Sequence, residues 1–135
     1  MGECEAELFN DSYERCLRQP GFLERFYEIF MASSEEVAAK FARTDFTRQR
    51  RLLKWSLYML MCAASTPLPE VTTHLERISE VHSRGHMDIK PEFYDLWLDS
   101  LLQAVREFDP MLNEDIEAAW RQVLDYGIQF MKSKY

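Results

Sequence analysis

At 135 residues the chain has room for one ordinary domain, and 47% hydrophobic residues supply enough apolar surface for a sizeable core. A net charge of −7 opposes long-range attraction to phosphate backbones, so nucleic acid is not an expected partner, and the short basic run Arg48, Arg50 and Arg51 reads as an exposed helix face. Three cysteines without a CxxC pair argue against a disulfide framework and a structural zinc site; with an acidic N-terminus and no apolar run of membrane-spanning length, a cytoplasmic protein with no membrane association is expected.

Breakers divide the chain into seven segments of helical period, none with the alternation of a half-buried strand, so an all-α fold is expected. The first helix covers residues 5–18. Pro20 suits the first turn of a second, which carries Phe22, Phe26, Ile29 and Phe30 on one broad face. A short third helix begins after Ser33 or Ser34.

The fourth begins between residues 44 and 47 and reaches about residue 64, with Gln49, Leu53, Ser56 and Leu60 on one stripe; Pro67 and Pro69 end it. The fifth, from residue 70 to about 84, aligns Val71, Leu75, Ile78 and His82 before Gly85 breaks it. Pro91 opens a long helix lined by Tyr94, Leu98, Leu101, Val105 and Phe108, and Asp109 with Pro110 makes the turn that follows. Asn113, trailed by Glu114 and Asp115, caps the last helix, whose buried stripe of Ile116, Trp120, Val123, Gly127 and Met131 runs almost to Tyr135.

No Walker loop, GxGxxG, GxSxG or HExxH motif occurs, and the carboxylates Glu35 and Glu36 or Asp88 and Glu92 read as solvated charges. The three histidines, His74, His82 and His86, fall in one stretch. His82 and His86 are spaced to share a helical face and could bind zinc, but no cysteine and no HxxE-type partner accompanies them, so two histidines alone make a weak metal site.

Several segments together resemble a known family. FLERFYEIFMASSEEVAAKF is similar to the B and C helices of globins, ending at Phe41, and QRRLLKWSL resembles the distal E helix of bacterial globins, with Gln49 over the pocket and Leu53 one turn further. LERISEVHSRGHMDIKPEFYDLW resembles the proximal F helix, the corner after it and the start of helix G, while KPEFY and AW, near Pro91, Tyr94 and Trp120, resemble flavohaemoglobins and related single-domain bacterial haemoglobins. The resemblance spans residues 22–126, and its order and spacing carry more than any one residue.

It implies a globin fold of about seven helices, one domain over residues 1–135, sandwiching haem b with His82 as the proximal iron ligand. Phe41, Leu53, Ile78 and Tyr94 would surround the haem, Arg84 and His86 would meet its propionates, and Tyr27, fourteen residues before Phe41, would join Gln49 as a distal donor. The corner between His82 and Pro91 is about two residues longer than in flavohaemoglobins, which makes His86 a rival ligand. His82 is preferred because it continues the Leu75 and Ile78 stripe, and its second nitrogen is expected to donate to the Ile78 carbonyl. A one-residue change of helix phase would put Phe26 in the pocket and turn Tyr27 outward.

The leading functional expectation is reversible binding of dioxygen or another diatomic gas, for carriage, storage or sensing. The second is nitric oxide dioxygenase or peroxidase-type chemistry, which needs a separate reductase; the acidic proximal partner of flavohaemoglobins would here fall at Tyr135, against a peroxidase. A haem-free globin-like signalling module is the third, and His82 argues against it. A homodimer is compatible with all three.

Overall fold

The computed structural model describes residues 2–65, 69–82 and 90–133. Seven helices occupy them: α1 (Gly2–Arg18), α2 (Phe22–Ala32), α3 (Glu35–Lys40), α4 (Phe46–Ser65), α5 (Pro69–His82), α6 (Pro91–Phe108) and α7 (Glu114–Ser133). Among the described residues there is no strand, and no helix is long and apolar enough to cross a membrane. Each helix expected from periodicity is present, with ends moved by local chemistry.

In α1 the buried residues Ala6, Phe9, Tyr13 and Cys16 recur at helical spacing, and Arg15 and Arg18 oppose the negative end of the helix dipole. Pro20 does not begin α2 as expected. Gly21 precedes Phe22 with φ 92°, a left-handed conformation that glycine adopts without strain, so Pro20 belongs to the connecting turn. Ser34 caps α3, its Oγ accepting from the Glu36 amide at 3.2 Å.

Asp45 plays the same part for α4, accepting from the Arg48 amide at 3.3 Å, and Asn113 for α7, accepting from the Ile116 amide at 2.8 Å. Pro69 does not end α4; it opens α5, where a missing N–H costs nothing, and Pro91 opens α6 in the same way. Pro67 and the expected end of α5 near Arg84 lie outside the described residues.

Helix α7 is the spine. It packs against α1, α4, α5 and α6, while α2 crosses α6 and α3 rests on α2. Ile116, Ala119, Trp120, Val123, Leu124, Gly127 and Ile128 supply its buried stripe. Met131, at the end of the expected stripe, is half-buried and receives the Ser79 hydroxyl of α5 at its Sδ, 3.7 Å away. Gly127 matters here because a Cβ would run into the Leu60 side chain of α4.

A buried polar knot locks α1 onto the α6–α7 corner. Trp120, fully buried between Phe9 and Tyr13, donates its indole N–H to Ser12 Oγ at 2.8 Å, and Ser12 donates to Asp109 Oδ2 at 2.6 Å. Arg15 closes the set with Nε and Nη2 on the two carboxylate oxygens at 2.7 and 3.0 Å. Burial pushes the Asp109 carboxyl up, but the hydrogen bonds from Arg15, Ser12 and the Met111 amide, with the Arg15 charge, outweigh it and hold the carboxyl below its ordinary range.

Asp109→Asn keeps the shape and removes the charge, and should destabilise the protein by about 1.5–3 kcal/mol at neutral pH, the scale of hydrogen bonds to charged groups. A carboxyl depressed in the folded state contributes stability above its unfolded pKa and loses it as pH falls through the folded value. Urea unfolding should therefore separate wild type from Asp109→Asn at pH 6, and the gap should narrow below about pH 4.

Candidate functional site

The candidate residues fall into two sets of side chains, one on α2 to α4 and one on α5. In the first, Tyr27 is 4% exposed and its ring lies 5.6 Å from Phe41 and 5.5 Å from Phe46, centroid to centroid. Phe41 also meets Phe46 at 5.9 Å and Phe30 at 5.8 Å. These rings form because α2 places Tyr27 and Phe30 on its inner face, α3 ends at Phe41, and α4 begins at Phe46. The offset and edge-on ring geometry is the favoured one for aromatic pairs.

Burial pushes the Tyr27 phenol up to about 12, with the Gln49 amide and the Arg50 guanidinium drawing it partway back. The phenol is therefore a neutral donor at any physiological pH. Gln49 is half-buried one turn after Phe46, and Leu53 follows on the same face at 7% exposure, continued by Leu57 and Leu60. Both candidates for this position are buried: Tyr27 is turned inward rather than to solvent, and Phe26, fully buried beside it at 4.8 Å between ring centroids, also meets Trp97 of α6 at 6.1 Å.

The second set is on α5. His82 Nδ1 lies 2.7 Å from the Ile78 carbonyl oxygen, as the spacing of the two residues predicts. A carbonyl only accepts, so Nδ1 carries the proton. Burial lowers the imidazole pKa, partly offset by the Ile78 hydrogen bond, so the ring is neutral and its Nε2 keeps a free lone pair. Ile78 is half-buried beside it. Among the described residues no three metal-ligating side chains cluster, and His82 stands as a single candidate ligand.

Tyr94 of α6 is half-buried, packs on the same core, and has a phenol pushed up to about 12 by burial. Lys90 Nζ, at the start of α6, reaches Glu36 Oε2 of α3 at 3.1 Å and so ties that corner to the Phe41 end of the site. Arg84, His86 and Tyr135 lie outside the described residues. A separate groove of about 370 Å³ between α2 and α6, lined by Arg25, Glu28, Asp99 and Gln103 among others, contains none of the candidate residues.

One contributor to the aromatic cluster escaped the sequence reading, Phe46. Phe46 was three residues before Gln49, a helical neighbour of a residue already singled out.

Among the described residues seven helices pack around one apolar core, with a half-buried histidine on one helix and an aromatic cluster holding a phenol on others. No family model matches the sequence, and no curated protein matches it. The crystal structure of protein PA3967 from Pseudomonas aeruginosa PAO1, described as structurally highly homologous to a human hemoglobin, is similar to 97% of this chain and 98% of its own at 41% identity, with a TM-score of 0.91. The chain belongs to the globin superfamily, as a bacterial globin.

The Tyr27 and Gln49 side chains should be energetically coupled. Tyr27→Phe and Gln49→Leu are each expected to change stability by about 0.5–1.5 kcal/mol, and the double variant to fall short of their sum by about 0.5 kcal/mol. Chemical denaturation of the four-protein cycle measures this. Strict additivity would mean that the two groups do not interact.

Proposed function

We propose that this protein binds haem b through His82 and uses the pocket to bind dioxygen or another diatomic gas reversibly. The observation that carries the reading is the His82 imidazole, whose Nδ1 is occupied by the Ile78 carbonyl at 2.7 Å while burial keeps the ring neutral. Such an imidazole would hold a haem iron through Nε2, with its tautomer and ring orientation set by the hydrogen bond at the second nitrogen. Haem would supply the iron at which a diatomic gas binds.

The remaining work falls to this chain's own residues. Phe41, Phe46 and Leu53 offer apolar walls that keep water out. Tyr27 offers a neutral hydroxyl in an apolar setting, where a hydrogen bond to a polar ligand is less screened than in water, and Gln49 supplies a second donor. Ile78 and Tyr94 would pack at the cofactor, and Arg84 and His86 would pair with its propionates. The 41% identity with a haemoglobin-like bacterial protein over nearly the whole chain supports the same reading.

Visible spectra of the ferric, ferrous and carbonyl forms test the haem assignment, and the absence of a Soret band in protein expressed with haem would sink it. His82→Ala should abolish or strongly weaken proximal ligation; the same loss from His86→Ala, with His82→Ala silent, would move the ligand to His86. Tyr27→Phe preserves the packed ring and should speed oxygen escape by about ten- to a hundredfold, the equivalent of 1.5–3 kcal/mol for a bond to a charged acceptor. Carbon monoxide, less polar, should respond less. Unchanged oxygen dissociation would remove Tyr27 from the pocket chemistry.

A further inference from the structure

Helix α4 has two unlike faces. Gln49, Leu53, Leu57 and Leu60 point inward, and on the other side Leu52, Trp55 and Tyr58 are 47%, 56% and 49% exposed. Large apolar side chains clustered this way are more than the scattered exposure any surface shows. Trp55 and Tyr58 stack on one another, ring centroids 6.0 Å apart and 26° from parallel. Arg48, Arg51 and Lys54 stand exposed among them, and none forms an ion pair among the described residues.

The charge distribution sets the kind of partner. Four of the 16 basic residues and none of the 23 acidic ones lie on α4, which leaves 12 basic against 23 acidic residues, a net −11, on the rest of the chain. A +4 helix on a −11 body is a local patch of opposite sign, the arrangement that steers a partner to one orientation. Trp, Tyr and Arg are also the residues that most often anchor protein interfaces.

We propose that the outer face of α4, where Trp55 and Tyr58 stack among Arg48, Arg51 and Lys54, is the docking surface for an acidic electron-transfer protein. A second copy docked face to face fits less well, because two α4 faces would bring like charges together. An anionic bilayer would repel the −11 remainder, whereas a small protein can contact α4 alone. The position suits electron delivery: Gln49 and Leu53 lie on the pocket side of the same helix, so a docked donor would stand about one helix diameter, about 10–12 Å, from the site. The electron step rests on the haem reading, one electron passing from a reduced iron–sulfur cluster to ferric iron with no bond made or broken. The docking itself does not.

The test is calorimetric titration of the intact protein, its haem content recorded from the visible spectrum, with an acidic plant-type [2Fe–2S] ferredoxin. Binding should weaken steeply with added salt, and the Arg48→Glu/Arg51→Glu/Lys54→Glu variant should raise Kd by about tenfold or more at low ionic strength. Trp55→Ala, with all charges kept, should also weaken binding while leaving the thermal midpoint unchanged. In the same variants, reduction of the ferric protein by reduced ferredoxin should slow in parallel with binding. No ferredoxin binding, or binding indifferent to salt and to these substitutions, overturns the docking surface. So does retention on phosphatidylglycerol vesicles, or self-association in sedimentation, that the triple variant abolishes. A preparation without a Soret band that still binds ferredoxin through α4 refutes the haem reading alone, and a haem-loaded preparation whose binding ignores the variants refutes the docking surface alone.

Discussion

The buried carboxylate of Asp109 is the constraint from which the arrangement of the helices follows. A charge taken out of water must be matched by good hydrogen-bond geometry, and here Arg15 and Ser12 of α1 and the Met111 amide of the α6–α7 corner supply it. Ser12 in turn receives the Trp120 indole, so the largest buried side chain of α7 is fixed in rotation as well as in depth. With α7 registered against α1, the other helices that carry the site have a fixed support. Both α4 and α5 rest on α7, through Leu60 against Gly127 in one case and Ser79 against Met131 in the other.

The candidate site combines two different kinds of rigidity. On the α2–α4 side, position is set by aromatic packing, with Tyr27 held against both Phe41 and Phe46. Such packing excludes water and fixes the ring, while the hydroxyl remains the polar end of a largely apolar surface. On the α5 side, position is set by one hydrogen bond to a helix carbonyl, which also chooses the imidazole tautomer. The pair of pKa directions follows from the same cause: burial disfavours the charged form of each, raising the phenol and lowering the imidazole.

Helix α4 links these interior demands to the surface. Its inner stripe of leucines settles which way Gln49 faces, and the helical repeat then leaves Trp55 and Tyr58 with the basic residues outside. The run Arg48, Arg50 and Arg51 is indeed a helix face in contact with water, although Arg50 reaches Glu24 of α2 at 3.6 Å. A basic helix on an acidic protein costs nothing in folding, since exposed charges interact weakly through water. It does give the surface a direction.

Local chemistry, legible along the chain, determined the helix count, the caps at Ser34 and Asn113, the role of Pro91 and the inward stripes, because each depends on residues within a few positions of one another. The link between Ile78 and His82 belongs to the same class, being one turn of a single helix. What only the tertiary structure decided involves residues far apart in sequence. Asp109 read as an ordinary turn residue, and nothing near it announced Ser12 and Arg15, 97 and 94 positions away. The neighbours of Phe26 and Tyr27 were likewise beyond local pattern: Trp97 of α6 for the first, Phe41 and Phe46 for the second. Periodicity tells a side chain that it must be buried, but the partner that buries it is chosen by how the helices pack, and that information is not local.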